Sequence, residues 1–195
     1  KHRQYLVNSV NFIADSEMTP IRKGSFTGFD SLSYKGYNMY YKDKMFLRPK
    51  LLVDFNRIRP GEFYSERDVQ NTYSALGRLR MLKYSNIRFK EVNVSDSTKL
   101  DAYIVMSKGQ NKSVSFEIEG TNSAGDLGAA ASISFQHRNV FKGSETFTMK
   151  VRGAYEAITG LGQDYVNDNY TEYGVESSLN FPEFMFPFLS SDFKR

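Results

Sequence analysis

From Lys112 onward the chain repeats one pattern four times: a run of ten or more residues with an apolar side chain at every second position. Val114, Phe116 and Ile118 alternate with Ser115, Glu117 and Glu119. Leu127, Ala129, Ala131, Ile133 and Phe135 alternate with Gly128, Ala130, Ser132, Ser134 and Gln136. The third run sets Phe147, Met149, Val151 and Tyr155 against Thr148, Lys150, Arg152 and Glu156. The fourth sets Tyr173, Val175, Leu179 and Phe181 against Glu172, Gly174, Glu176 and Asn180. A period of two places successive side chains on opposite sides of a strand, so these runs predict an antiparallel meander with one apolar and one polar face. The linkers Thr121 to Gly125, Asn139 to Gly143 and Thr159 to Tyr170 alternate short with long, as expected where the two ends of a sheet meet different surroundings.

An apolar sheet face either packs on a soluble core or meets lipid. Two features favour lipid. The runs exceed the roughly 5–6 residues usual in soluble sheets, and Glu117, Glu119, Lys150, Arg152 and Glu176 put charge in mid-strand on the polar face, as in a wet barrel lumen. The stretch Phe181-Pro-Glu-Phe-Met-Phe-Pro-Phe188 reads as an aromatic girdle at a membrane interface. Its two prolines forbid a helix. No apolar run reaches the 18 or so residues of a spanning helix.

The front of the chain follows a different plan. Residues 5–14 are rich in β-branched and aromatic side chains and predict a strand; residues 15–35, with Pro20, Gly24, Gly28 and many Ser and Thr, predict a loop. Gly36 to Tyr41 read as a second strand. A short helix opens at Arg48-Pro49, where proline fits the first helical position, with Leu51, Leu52, Phe55 and Ile58 on one face. It stops before Arg59-Pro60-Gly61. Ser65 followed by Asp68 caps a second helix, whose stripe is Val69, Tyr73, Leu76, Leu79 and Leu82. Ile87 to Val94 and Leu100 to Met106 pair through the turn Ser95-Asp96-Ser97-Thr98. The expected division is thus residues 1–35 as a strand and loop joined to the following sheet, 36–108 as an α+β unit in the order β-α-α-β-β, and 109–195 as an antiparallel all-β meander.

Composition excludes several kinds of chemistry. With no cysteine, the 195 residues form no disulfide, zinc–thiolate site or thiol nucleophile. The net charge of +4 divides into 19 Lys and Arg against 11 Asp and Glu up to Lys108, and 7 against 11 beyond it. The basic side chains of the front half never run longer than two, which argues against a nucleic-acid stripe. His2 and His137 read as surface histidines rather than bases or ligands. Asp164 to Asn169 lack the spaced oxygens, glycine and closing glutamate of a calcium loop. Gly160 and Gly162 neither follow a strand nor open a helix, so no phosphate cradle forms. The sequence opens without an initiator Met or a charged-then-apolar leader and is expected to be a processed or trimmed product.

These residues carry a family resemblance. The β-α-α-β-β unit, with Arg59-Pro60-Gly61-Glu62 and Tyr64-Ser65 ahead of its second helix, looks like a POTRA domain. Glu119-Gly120-Thr121-Asn122-Ser123 and Gln136-His137-Arg138-Asn139-Val140-Phe141-Lys142-Gly143 resemble the first strand and first periplasmic turn of barrels in the surface-antigen superfamily, which contains BamA and TamA. Phe181-Pro182-Glu183-Phe184 is similar to the Asn-Pro-Tyr-Phe-like end of their fourth strand, and the character of the whole is that of TamA-like lipoproteins of Bacteroidetes. The resemblance covers residues 36–188. Val151-Arg152-Gly153-Ala154 looks like the family's Val-Arg-Gly-Tyr/Phe signature but falls in the third run, where that signature does not belong.

The resemblance implies a bacterial outer-membrane protein with its POTRA-like part in the periplasm, contributing the opening strands of a barrel. It also implies a non-enzymatic factor without cofactor or metal that assembles or translocates outer-membrane proteins. Its partners would be client proteins, assembly machinery and outer-membrane lipid, with no nucleic acid, and the isolated chain would self-associate through sheet edges. Sheet edges are the expected sites, because unpaired backbone groups accept an extended strand. Ile87, Phe89 and Val92 mark one edge and Val114, Phe116 and Ile118 the other. The alternative is a non-catalytic surface or adhesin-like β protein whose apolar faces close as a soluble sandwich.

Overall fold

The computed structural model describes residues 4–14, 26, 28–94, 97–123, 126–157 and 169–182. The chain is mostly β and divides into two compact units. The first comprises the chain up to Gln110, together with Phe141–Glu145 and the stretch that begins at Phe181; the second comprises Asn111–Val140 and Thr146–Asn180.

In the first unit a five-stranded sheet has the order β2-β3-β1-β5-β4. Its strands are β1 (Leu6–Ala14), β2 (Asp30–Tyr34), β3 (Tyr37–Tyr41), β4 (Leu82–Val94) and β5 (Ser97–Lys108). The sheet is mixed. β1 runs parallel to β3, with Phe12 beside Met39, and parallel to β5, with Phe12 beside Ile104. β1, expected to join the sheet that follows it, is thus its middle strand. Its own sequence explains this: Val7, Val10, Phe12 and Ile13 are all buried, so both faces are covered, as befits a strand with parallel neighbours on either side. The polar residues within that run are satisfied across the sheet. Asn38 donates to Asn11, Asn11 to Ser9 and Ser9 to Asp101, at 3.0, 2.8 and 2.6 Å.

β2 departs from the expected loop. Ser31 and Ser33 hide the strand in the sequence, yet β2 pairs antiparallel with β3 through Lys35-Gly36. Both turn residues have positive φ, 50° and 82°, the geometry that matches the twist of a two-residue hairpin.

Two helices follow, α1 (Pro49–Asp54) and α2 (Glu66–Gly77). α1 ends earlier than its apolar spacing predicts, because the Asn56 side chain takes over the backbone of Ile58, accepting from its N–H at 3.0 Å and donating to its carbonyl at 2.7 Å. Ile58 still reaches the core, from the loop. The Ser65 hydroxyl caps α2, accepting from Asp68 N–H at 3.3 Å, with Glu66 and Asp68 in the first turn opposing the helix dipole favourably. α2 buries Val69, Thr72, Ala75 and Leu76; Leu79 lies past its end and Leu82 already opens β4. The intervening Pro60-Gly61 turn is held on β1: Gly61 N–H donates to Val7 O at 2.7 Å, Val7 N–H to Glu62 O at 2.9 Å, and Tyr64 N–H to Tyr5 O at 2.8 Å. Gly61 has φ +84°, which a β-carbon would strain.

Phe141–Glu145, expected within the all-β meander, belongs to the first unit. Glu145 is only 1% exposed. Its carboxylate accepts from Arg48 at 2.8 Å and from the N–H groups of Gly143 and Phe141 at 3.0 and 3.2 Å. Arg48 N–H donates to Lys142 O at 2.8 Å, and Met81 N–H to the Ser144 hydroxyl at 3.0 Å. Gly143 is glycine for lack of room: a β-carbon there would run into the Glu145 carboxylate and the Arg48 guanidinium.

The second unit is a four-stranded antiparallel meander of β6 (Lys112–Ser123), β7 (Asp126–Arg138), β8 (Thr146–Ala157) and β9 (Asn169–Asn180), in that order. In register, Phe116, Ile133, Val151 and Val175 form one row, and Val114, Phe135 and Met149 the next. Of the aromatic stretch, Phe181 and Pro182 are described and the remainder lies outside the described residues, as do His2, Gly160, Gly162 and the oxygen-rich loop before Asn169.

Candidate functional site

Three features have the geometry of an interaction surface: the outer edge of β4, the outer edge of β6, and the apolar face of the meander.

β4 is the last strand of its sheet. The Ile87 side chain is buried opposite Ile104, so its contribution lies in the core rather than at the surface. Phe89 packs against that core and meets Tyr64 edge-on at 5.0 Å between ring centres. The Ile87 N–H donates to the Tyr73 hydroxyl at 2.7 Å, so α2 already occupies this point. Antiparallel ladders alternate residues that face their partner with residues that face away. Phe89, Glu91 and Asn93 thus share the outward orientation of Ile87, whereas Val92, like Arg88 and Lys90, directs its backbone toward β5. Among the described residues no backbone group from outside the sheet bonds to Phe89, Glu91 or Asn93. Replacing Tyr73→Phe is expected to cost about 1 kcal/mol and to speed deuterium exchange at the Ile87 amide specifically. An unchanged exchange rate there would mean that this N–H is bonded elsewhere.

β6 is an outer strand of the second sheet, and the side chains of Val114, Phe116 and Ile118 all project from it, with Phe116 67% exposed. The row continues through Ile133, Phe135, Met149, Val151, Tyr173, Val175 and Leu179, all exposed large apolar side chains. Contiguous apolar patches of this kind are uncommon on soluble monomers. The opposite face carries Glu117, Glu119, Lys150 and Arg152 in ion pairs and Ser132 buried among them.

Among the described residues no three acidic or imidazole side chains come together to hold a metal ion. His137 is partly buried beside the Phe135 ring. A cavity of about 190 Å³ lies beside Arg48, Lys50, Asp54 and Glu145, but its charges pair off, Arg48 with Glu145 and Lys50 with Asp54. Burial, then Asp101 and Tyr40, push the Tyr103 phenol above its usual value, which leaves it protonated at neutral pH.

No family model and no curated protein matches the chain. Among solved structures it is similar to BamA from Haemophilus ducreyi lacking POTRA domains 1–3, with 11% identity over 77% of this chain and 36% of that one, at a TM-score of 0.38. It is similar also to CdiB from Acinetobacter baumannii, with 8% identity over 93% of this chain and 43% of that one, at a TM-score of 0.46. The chain therefore spans less than half the length of either.

Proposed function

We propose that this chain is part of a non-catalytic outer-membrane protein assembly or translocation factor of the surface-antigen superfamily. In this reading the first unit is a periplasmic POTRA-like domain elaborated by the β2–β3 hairpin. The meander supplies opening barrel strands, with lipid against the apolar row and water against the charged face. The exposed edges of β4 and β6 receive extended client segments by strand addition. No nucleotide or metal takes part, because main-chain hydrogen bonding and apolar burial supply the driving force.

The observation that carries the reading is the two-faced meander. Its strands run 12 or 13 residues and its large apolar side chains stay exposed along one face. A tilted spanning strand needs about 9–11 residues, so each is long enough. The adhesin-like sandwich fits less well, since strands of 12 or 13 residues exceed the usual length in soluble sheets and the opposite face carries charge in mid-strand.

The test is carbene footprinting of the purified chain in detergent micelles and in detergent-free buffer. Val114, Phe116, Ile118, Val175 and Leu179 should be protected by micelles, while Ser115, Glu117 and Lys150 stay labelled. In buffer the chain should self-associate by light scattering. A monodisperse monomer in buffer with the same residues heavily labelled would rule out the lipid-facing assignment.

A further inference from the structure

On the polar face of the meander two ion pairs skip a strand. Lys150 Nζ on β8 lies 3.4 Å from Glu117 Oε2 on β6, and Arg152 reaches Glu119 Oε2 at 3.2 Å, with β7 running between them. The reach depends on the middle of β7, which from Gly128 to Ser134 shows this face only the small residues Gly128, Ala130, Ser132 and Ser134. Ser132 bridges the gap, donating to Glu117 Oε2 at 3.3 Å. Gly128 leaves no space for more, since a β-carbon there would sit 3.1 Å from the Tyr155 carbonyl and against the Thr121 hydroxyl.

These pairs settle an ambiguity that the apolar face leaves open. A slip of β6 by one residue is excluded, because it turns every apolar side chain to the polar face. A slip by two is not excluded that way. It exchanges the Phe116–Ile133 pair for Phe116–Ala131 or Phe116–Phe135 and keeps the faces intact. The linking residues Asn122 to Asp126 are turn formers at several positions and do not choose. The charges do. After a slip in one direction Lys150 meets Ser115; after a slip in the other Arg152 meets Thr121. Either way one of the two ion pairs is lost.

We infer that Glu117 and Glu119, through Lys150 and Arg152, are positioning residues that lock the register of the edge strand β6. This deepens the proposed function and rests on it for its meaning: a locked β6 presents an incoming strand with one fixed series of backbone groups and apolar neighbours. The lock itself is a property of the sheet.

The chain has no cysteine, so introduced pairs read the register directly. Opposed residues on neighbouring strands lie about 4.5–5.5 Å apart and diagonal ones about 7–8 Å, beyond the Cα separation of about 6.8 Å that a disulfide tolerates. Phe116→Cys with Ile133→Cys reports the native register; Phe116→Cys with Ala131→Cys or with Phe135→Cys reports a slip. In the full chain in micelles at low salt the native crosslink should dominate. Adding Glu117→Lys and Glu119→Lys should lower the native-to-slipped ratio about fivefold, and adding Lys150→Glu with Arg152→Glu should restore it. The parental ratio should also fall as salt screens the pairs, whereas a Glu117→Gln, Glu119→Gln chain should start lower and ignore salt. A ratio unmoved by charge reversal overturns the lock. Should the reversed chain give no crosslink at all, the four-residue swap decides, since failure to recover the native crosslink also overturns it. Membrane insertion and client uptake are not read in this experiment, so the lock and the proposed function stand or fall separately.

Discussion

A chain that begins at Gly36 loses β1 and the edge strand β2, and is expected to lose cooperative folding of the first unit although it retains both helices and three of the five strands. Deleting β1 removes the neighbour of both β3 and β5, opening two parallel interfaces at once. It also withdraws Val7, Val10 and Phe12 from the apolar core, and Asn11 from the polar chain that joins Asn38 to Asp101. The single substitution Phe12→Ala should already cost about 3–5 kcal/mol, because Phe12 is fully buried and its neighbours are held by the sheet. That is a large part of the roughly 5–15 kcal/mol by which a domain is stable. Circular dichroism melts of three chains provide the check: residues 1–110, residues 36–110, and residues 1–110 with Phe12→Ala. The first should melt sharply, the third at a lower temperature, and the second without a transition. A sharp melt of residues 36–110 would show that β1 and β2 are both dispensable and that the parallel pairing contributes little.

The same strand shows what the sequence does and does not disclose. Alternation and capping are local signals, and they located the strands of the meander, the Ser65 cap and the proline start of α1 within a few residues. Pairing partners are not local. Nothing in Leu6–Ala14 states that its neighbours lie about thirty and ninety residues away, although its burial on both faces is foreshadowed by an apolar run without strict alternation. β2 is not legible locally, because Ser31 and Ser33 look like loop chemistry until Lys35-Gly36 closes the hairpin beneath them. The edge residues divide for a related reason. Composition identifies Ile87 as a strand residue, but only the fold reveals that its side chain is core and that Tyr73 takes its outward N–H. The charged face of the meander was legible residue by residue. The pairing of Glu117 with Lys150 and Glu119 with Arg152 across an intervening strand was not, since it depends on the small side chains of β7 aligning between them.

The other large effect is expected at the outer edge of β6, where proline separates the two sides of one strand. Successive residues of an antiparallel strand direct their N–H and C=O groups alternately to the partner strand and away from it. Of Ser115 and Phe116, which face Ser134 and Ile133, one therefore donates into β7 and the other toward the free edge. Proline removes the N–H in both cases but with opposite consequences. The substitution on the β7 side should break the ladder and raise amide exchange in the middle of β7 about tenfold, the loss of roughly one buried hydrogen bond. The substitution on the edge side should leave β7 protected and yet abolish uptake of an added strand, because the incoming backbone meets a ring where it needs a donor. Both chains, Ser115→Pro and Phe116→Pro, would be compared in micelles by hydrogen exchange and by photocrosslinking to an extended peptide of alternating apolar and polar residues. One variant intact in β7 but deaf to the peptide is the signature of a functional edge. If both variants capture the peptide as the parent does, client strands do not enter at β6. If both lose β7 protection equally, the outer side of β6 is not free to receive them.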